Sequence, residues 1–307
     1  VMTKKYVDGV PLARQEKIWA RQGVELSRAT MANWVIRCAQ SWLKPLYKHM
    51  KRQLLKQSVI HADETVVQVL KEDNKPAASE SRMWLYASGE YSSQHIRIFE
   101  YQPDRSGKRP ESFLKGFSGC LITDGYAGYN QVQKVTHCGC WAHARRKFDE
   151  ALQTLPKEKR QDSLAATGEC YCTRLFQLEQ PLMDLTPEER YTKRLELEKP
   201  VLDALLAWAN EASAKTAPKS ALGKALHYLR EQWPYLKRFL EDGRLEISNN
   251  RAERSIKPFV MGRKNWLFAN TEGGAQSSAI VYSLIETARE NNLDPYRYLV
   301  HVFSKAP

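Results

Sequence analysis

Three acidic residues are the strongest candidates for chemistry in this sequence. Asp63 follows the apolar run 59–62, and Asp124 follows the apolar run 120–123. An acid at the end of a buried strand is expected to point into a site rather than into a core. Glu253 lies far downstream, in a segment typical of a helix. Three carboxylates that come from two strands and a helix can hold a pair of divalent metal ions.

The surroundings of Glu253 are basic. Arg251, Arg254 and Lys257 lie within four positions of it, and a basic surround suits a phosphodiester substrate. Taken alone, Glu253 is more simply explained as half of a surface salt bridge with Lys257, one helical turn later. The prediction of a site therefore depends on the three acids and their settings together.

Phosphodiester transfer needs a nucleophilic oxygen, a stabilised leaving oxygen and an in-line approach. Two Mg²⁺ ions roughly 3.5–4 Å apart meet these demands, and Mg²⁺ takes hard oxygen ligands while it keeps several waters. Asp63 would bridge both ions, Asp124 would hold one and Glu253 the other, with Mn²⁺ as an alternative ion. Water or a DNA 3′-hydroxyl would then attack directly, and no nucleophilic Ser or Tyr is required.

Five motifs follow one another along the chain. They are Ile60–Thr65 (IHADET), Thr123–Tyr126 (TDGY), Gly139–Phe148 (GCWAHARRKF), Asn249–Arg254 (NNRAER) and Gly262–Phe268 (GRKNWLF). In this order they resemble the DDE transposases of the insertion sequence 66 family, from about Tyr6 to the C-terminus. The resemblance implies an RNase H-like catalytic core, transposition of DNA, and the same three acids as the catalytic, metal-holding triad.

Composition is compatible with this resemblance. The 307 residues carry a formal net charge of +12, of which +9 lies in residues 1–60, and the pI is about 9.3. We expect double-stranded DNA as the partner, both element ends and target, bound by a homo-oligomer with accessory proteins of the element.

No apolar run approaches the roughly 18 residues of a membrane helix. Six cysteines are too few for a disulfide scaffold, so we expect a cytoplasmic bacterial protein that is nucleoid-associated when bound to DNA. The start at Val1 suggests a fragment or an internal start.

The N-terminal segment, residues 1–57, is predicted to be helical. A helix over 10–19, a break at Gly23 and a second helix from Arg28 to about Gln40 form a helix-turn-helix pattern. Arg28, Thr30 and Asn33 would lie at the exposed start of the second helix, where base edges are read. The alternative is an ordinary α-hairpin packed on the core.

The rest of the chain predicts an α/β fold with a mixed sheet flanked by helices. Strands are expected at 59–70, 83–87, 95–101, 120–123 and 135–140, followed by a helix at 142–155. Three antiparallel strands and then strands separated by helices is the order of an RNase H-like domain. We expect its first part at 58–155, an all-helical, separately folded insertion at 156–243, and its second part with the C-terminal helices at 244–307.

Further candidates surround the triad. The expected phosphate contacts are Arg145, Arg146, Arg251, Arg254, Lys257, Arg263 and Lys264, whose alternative is a solvated face. Cys138, Cys140 and His143, with Cys170 or Cys172, could bind zinc, although the spacing is not that of a standard finger and a packed structural role is the alternative. Along the strand, Glu64 should face away from Asp63. His61 should face the same way as Asp63, either as a core histidine or as a support for the site.

Three functions remain open at this point. The first is a DDE transposase that cleaves and joins DNA strands with Mg²⁺. The second is an RNase H-like nuclease that hydrolyses DNA without strand transfer. The third is a non-catalytic DNA-binding remnant that acts through the N-terminal helix pair.

Overall fold

A mixed six-stranded sheet lies at the centre of the computed structural model, which describes residues 1–306. The strands are β1 (Val59–Lys71), β2 (Glu80–Ser88), β3 (Arg97–Gln102), β4 (Cys120–Ile122), β5 (Thr136–Cys138) and β6 (Ala269–Thr271). Strands β3, β2 and β1 are antiparallel neighbours, and β4 and β5 continue the sheet in parallel with β1. Strand β6 pairs in parallel with the far end of β1. The predicted antiparallel meander and the α/β class are confirmed.

Helices cover both faces of this sheet. They are α1 (Met2–Tyr6), α2 (Leu12–Arg21), α3 (Arg28–Cys38), α4 (Lys44–Leu54), α5 (Lys108–Phe113), α6 (Trp141–Gln153), α7 (Leu164–Glu179), α8 (Pro187–Leu197), α9 (Lys199–Ala214), α10 (Ala221–Leu236), α11 (Asn250–Trp266), α12 (Glu272–Glu290) and α13 (Pro295–Lys305). None of the helices in residues 1–306 combines the length and the apolar character needed to cross a bilayer.

The alternation of side chains along β1 divides the core between the two faces. Ile60 and Ala62 are buried on one face, in a cluster with Trp84 of β2. Val67 and Val69 are buried in a different cluster that includes residues of α11 and α12. Odd-numbered residues near the start of β1, among them Asp63, therefore belong to the face that α11 covers.

Helix α12 covers the edge strand β3 and pairs with its backbone. The hydroxyl of Thr287 accepts the amide of Arg97 at 2.9 Å, and the hydroxyl of Ser283 accepts the amide of Phe99 at 2.8 Å. An uncovered edge strand is a template for unwanted pairing. These two hydroxyls satisfy amide groups that no neighbouring strand reaches on this side.

The segment 157–242 contains helices and no strand, as predicted. Its core is not separate, however, because Leu205 and Leu229 belong to one buried cluster with Ile122 of the sheet and Trp141 of α6. The indole nitrogen of Trp141 also donates to the carbonyl of Leu236 at 2.9 Å. The helical segment therefore packs directly on the sheet, and its folding as a separate unit stays a prediction.

The N-terminal helix pair has the predicted order. Helices α2 and α3 are joined by a turn in which Gly23 has a φ of 78°, and the Ser27 hydroxyl caps α3 by accepting the amide of Thr30 at 3.1 Å. Trp34 of α3 is 49% exposed. A π-helical turn over Ala39–Leu43 carries α3 directly into α4.

Candidate active site

The register of the sheet brings Asp63 and Asp124 to the same level. Parallel pairing of β1 with β4 sets His61 opposite Ile122, and two further residues along each strand lead to Asp63 and Asp124. The sequence suggested that Asp63 lies at the end of its strand. In the structure, β1 continues beyond Asp63 to Lys71. The neighbouring β4 is shorter and ends at Ile122, two residues before Asp124.

Asp124 lies in a tight turn that helix α10 buttresses. Its Oδ1 accepts the amide of Tyr126 at 2.9 Å, and Gly125 has a φ of 91°, which favours glycine. A Cβ at Gly125 would lie 2.8 Å from Oε1 of Gln232. The hydroxyl of Tyr228 donates to the Asp124 carbonyl at 2.9 Å. Nothing in the sequence indicated Tyr228 or Gln232, because both lie more than a hundred residues downstream of the turn.

Glu253 lies in the first turn of α11 and faces α6. Its Oε2 is 3.5 Å from Nη2 of Arg146, and its Oε1 is 3.7 Å from Nε2 of His143. Its partner is thus Arg146 rather than Lys257, so the simple i,i+4 salt bridge is not the arrangement found. Oε1 is buried and has no hydrogen-bond partner within residues 1–306, which leaves an acceptor oxygen available inside the site.

The three acids share one electrostatic environment. Burial raises the pKa of Asp63 to about 8, and the charges of Glu64, Asp124 and Glu253 add to the increase. The amide of Glu64, 2.8 Å from Oδ1 of Asp63, acts in the opposite direction. Burial also lowers the pKa of His143, which Asp124 and Glu253 partly offset. Neighbouring carboxylates in a partly dry site disfavour one another's charged forms, so this site is suited to bind cations.

The donor set fits a hard divalent ion in its chemistry. Carboxylate oxygens are the ligands that Mg²⁺ prefers, and the ion keeps several waters of its own. The unpartnered Oε1 of Glu253 is one such oxygen. Within the described residues, however, no group of three His, Cys, Asp or Glu forms a complete ligand set. Asp63 accepts the Glu64 amide, and Glu253 lies beside Arg146.

The two residues that flank Asp63 in sequence behave as the strand alternation predicts. Glu64 lies on the opposite face, where its carboxylate accepts from Nε of Arg105 at 2.6 Å and from the hydroxyl of Tyr129 at 2.7 Å. His61 is fully buried on the face of Asp63. These contacts agree with the prediction that Glu64 faces away from Asp63.

The candidate DNA contacts divide by exposure. The exposed ones are Arg28, Asn33, Arg145, Arg146, Arg254, Lys257 and Lys264. Thr30 is half-buried, and its hydroxyl lies 3.0 Å from that of Ser27.

Arg251 and Arg263 differ from the exposed candidates because their side chains have internal partners. Arg251 is buried and pairs with Glu246 at 3.0 Å, with Glu290 at 2.8 Å and with Glu90. Arg263 is half-buried, and its Nη1 donates to the carbonyl of Val66 in β1. Both side chains satisfy internal acceptors, which favours a structural role for each.

The cysteines near the site have structural contacts. Cys140 is fully buried, and its sulfur accepts the amide of Asn249 at 3.1 Å. Cys138 contacts the carbonyl of Thr136 at 3.7 Å, while His143 faces Glu253. The two remaining candidates belong to α7, where Cys170 is exposed and Cys172 is buried. Within residues 1–306 these side chains do not form a set of zinc ligands. The burial and backbone contact of Cys140 are those of a packed structural residue.

Comparison with known proteins gives the family. The profile of the transposase IS66 family matches residues 1–277, and that of the IS66 C-terminal element matches residues 283–307. The chain belongs to the IS66 transposase family. This assignment confirms the resemblance that the five motifs indicated.

Relatives of this IS66 transposase chain occur in Sinorhizobium fredii (strain NBRC 101917 / NGR234). Uncharacterized protein y4qI is 31% identical over 99% of the chain, y4hP is 28% identical over 96%, and y4jD is 29% identical over 99%. The chain spans 58%, 56% and 61% of the lengths of these relatives, respectively. The names of these relatives state no activity.

Proposed function

We propose that this chain carries the catalytic centre of a DNA transposase that cleaves a DNA strand and joins the freed end to another. Asp63, Asp124 and Glu253 are its catalytic carboxylates. The observation that carries the proposal is their arrangement: two strands and a helix, separated widely in sequence, bring three acids into one partly buried site. Membership of the IS66 family supports DNA as the substrate.

The sheet supports an RNase H-like core. Its order is β3-β2-β1-β4-β5, with three antiparallel strands followed by two parallel ones. Asp63 lies on β1, and Asp124 follows the carboxyl end of the adjacent strand β4. Sites in open α/β sheets commonly lie outside the carboxyl ends of the strands.

The carboxylates would hold Mg²⁺, or Mn²⁺ in its place, and a pair of such ions would supply charge neutralisation at the attacking and leaving oxygens. In the first reaction, water attacks the scissile phosphorus and the bond to the DNA 3′-oxygen breaks. In the second, the freed 3′-hydroxyl attacks a target phosphodiester and displaces its 3′-oxygen. The chain supplies orientation: Arg146 fixes one oxygen of Glu253, and the turn at Gly125 fixes Asp124.

Exposed cations near Glu253 would bind the DNA backbone. Arg254 and Lys257 lie on α11 beside the proposed catalytic glutamate, and Arg146 lies opposite it on α6. Phosphate contacts position the strand without reading its sequence. We assign base reading to Arg28, Thr30 and Asn33 at the start of α3. We also propose that a homo-oligomer, with accessory proteins of the element, assembles on the DNA.

The test is incubation of the protein with its element-end DNA and Mg²⁺, scored for both nicking and joining. We expect both products, and we expect that Asp63→Asn, Asp124→Asn and Glu253→Gln each abolish them while DNA binding is retained. Glu64→Gln is the matched control, because this adjacent carboxylate lies on the opposite face. Nicking without joining would leave a nuclease, and binding without either product would leave a non-catalytic remnant.

A further inference from the structure

We propose that Asn249 is a positioning residue that sets Glu253 relative to Asp63, and that His61 and Cys140 act by orienting it. The inference rests on the proposed function, because it concerns the geometry of the same three acids. All three residues of this buried cluster are fully inaccessible to solvent.

Asn249 connects the strand of one acid with the helix of another. Its side-chain Nδ2 donates to the carbonyl of Ala62, the residue before Asp63, at 2.8 Å. Its own carbonyl accepts the amide of Glu253 at 3.2 Å. Only Ala62 and Asn249 therefore lie between the backbone of Asp63 and the backbone of Glu253 along this route of hydrogen bonds.

The side chain of Asn249 makes this connection instead of the bond usual at its position. It is the residue immediately before α11, where an asparagine ordinarily accepts an amide of the first helical turn and stabilises the helix by about 1 kcal/mol. Here no such cap bond forms. The amide is turned toward β1, so the local preference of the helix end gives way to a tertiary contact.

His61 fixes which way that amide points. Because Nδ2 of Asn249 faces the Ala62 carbonyl, Oδ1 faces the ring of His61, whose Nδ1 lies 3.1 Å away. The other ring nitrogen lies 2.9 Å from Oε2 of Glu246. Neither Nε2 of His61 nor Oε2 of Glu246 forms a hydrogen bond within residues 1–306, so the ring is oriented by its bond to Asn249.

Cys140 fixes the backbone of the same residue. Its sulfur accepts the amide of Asn249, and Cys140 directly precedes α6, the helix that brings His143 and Arg146 to Glu253. The Cys-x-x-His motif accordingly connects two helices at the site. This gives the motif a function in positioning that needs no zinc.

The expected consequence is catalytic rather than purely structural. Outer partners that orient metal-holding side chains typically account for about 10–100-fold in metal affinity or activity. A misplacement of about 1 Å can cost roughly a hundredfold in rate. Loss of the bond to Asn249 should therefore reduce kcat for nicking and Mn²⁺ affinity, with KM for DNA nearly unchanged.

A pair of substitutions at His61 isolates the bond to Asn249. His61→Asn places a side-chain amide near the position of Nδ1 and can still donate to Asn249. His61→Gln extends toward Glu246 and cannot. Both remove the ring, so their comparison cancels most of the loss in packing.

The readouts are Tm, kcat and KM for nicking of element-end DNA, and titration of the DNA-free protein with Mn²⁺ alone. We expect His61→Gln to lose about 10–100-fold in kcat and in Mn²⁺ affinity, and His61→Asn to remain close to the wild type. Asn249→Ala should match His61→Gln. Asn291→Ala is the control and should lower Tm alone. The Nδ2 of Asn291 also connects a helix end to a backbone carbonyl, that of His95, but it lies far from the three acids.

The outcomes separate this role from the proposed function. If the wild type neither nicks DNA nor binds Mn²⁺, the proposed function fails and the positioning role fails with it. If the wild type is active and the two His61 variants lose activity equally, or only in proportion to Tm, the positioning role is overturned and the transposase proposal stands.

Discussion

Arg251 and Arg254 are near neighbours on α11, yet their side chains have opposite surroundings. Arg251 is buried among Glu246, Glu290 and Glu90. Arg254 is exposed and has no ion pair within residues 1–306. A buried cation is held by its carboxylates, whereas an exposed one beside a catalytic acid can bind a phosphate. The same residue type on one helix can thus stabilise the fold or bind the substrate.

We predict opposite phenotypes for the two alanine variants. Arg254→Ala should weaken binding of specific and random DNA about equally and reduce the salt slope by about 0.9, with Tm unchanged. Arg251→Ala should lower stability by about 1–3 kcal/mol, because three partly exposed carboxylates lose the buried cation that they share. DNA titrations at several salt concentrations and urea melts measure both effects. A stable Arg251→Ala protein with a flattened salt slope would return Arg251 to the DNA surface.

Glu198 gives a residue-level prediction for pH. Burial raises its pKa to about 8 from an ordinary value near 4.5, and the neighbouring carboxylate of Glu179 adds to the increase. The folded state then keeps a proton that the unfolded state has released. Stability should fall as pH rises from about 4.5 to about 8, by at most about 1.4 kcal/mol per pH unit, and level off above that range.

Glu198→Gln removes this titration while it keeps the shape of the side chain. Its gain in Tm over the wild type should be small near pH 5 and largest above about pH 8. Glu196→Gln is the control, since Glu196 is exposed beside Lys193 and should show no such trend. Equal Tm differences at all pH values would mean that Glu198 is ionised in the folded protein.

At the scale of elements, the long segments were predictable and the short ones were not. β1 was expected at 59–70 and found at Val59–Lys71, and α6 was expected at 142–155 and found at Trp141–Gln153. The three-residue strand β6 was missed because so short a run has no periodicity to detect. Its existence depends on pairing with the distant end of β1.

Contacts around the site that join residues distant in sequence were likewise not predictable. Two acids were located by the apolar runs before them, because burial and chain direction are local properties. Tyr228 and Asn249 were not, since each acts on a partner more than a hundred residues away. The ion pairs of Arg251 were not predictable for the same reason: its charge is balanced by Glu290, which is adjacent only after folding.

The N-terminal helix pair carries a prediction of its own. Asn33 is exposed at the start of α3, where a short polar side chain can reach a base edge. A base contact contributes roughly 1–3 kcal/mol of discrimination, so Asn33→Ala should narrow the affinity gap between element-end and random DNA. Arg37→Ala, exposed near the end of the same helix, is the control and should affect both DNAs alike. An unchanged ratio in Asn33→Ala would make α2 and α3 a scaffold.

At the scale of the whole molecule, one shared core joins the helical segment to the sheet. Leu229 of α10 is fully buried in the cluster that contains Ile122, which ends the strand before Asp124, and Trp141 of α6. The same helix donates the Tyr228 hydroxyl to the Asp124 carbonyl. Loss of packing in α10 should therefore be felt in the sheet and at the site, since no independent core separates them.

Leu229→Ala tests this coupling. Truncation of a buried leucine costs about 2–5 kcal/mol, and we expect it to lower the urea midpoint measured by far-UV circular dichroism and the protection of β1 amides from hydrogen exchange together. Leu195→Ala, at an exposed leucine of α8, is the control and should change neither. If β1 amides kept full protection while the helical signal was lost at lower urea, residues 157–242 would fold as a unit of their own. Coincident loss would mean that the helical segment holds Asp124 in place and is part of the catalytic domain.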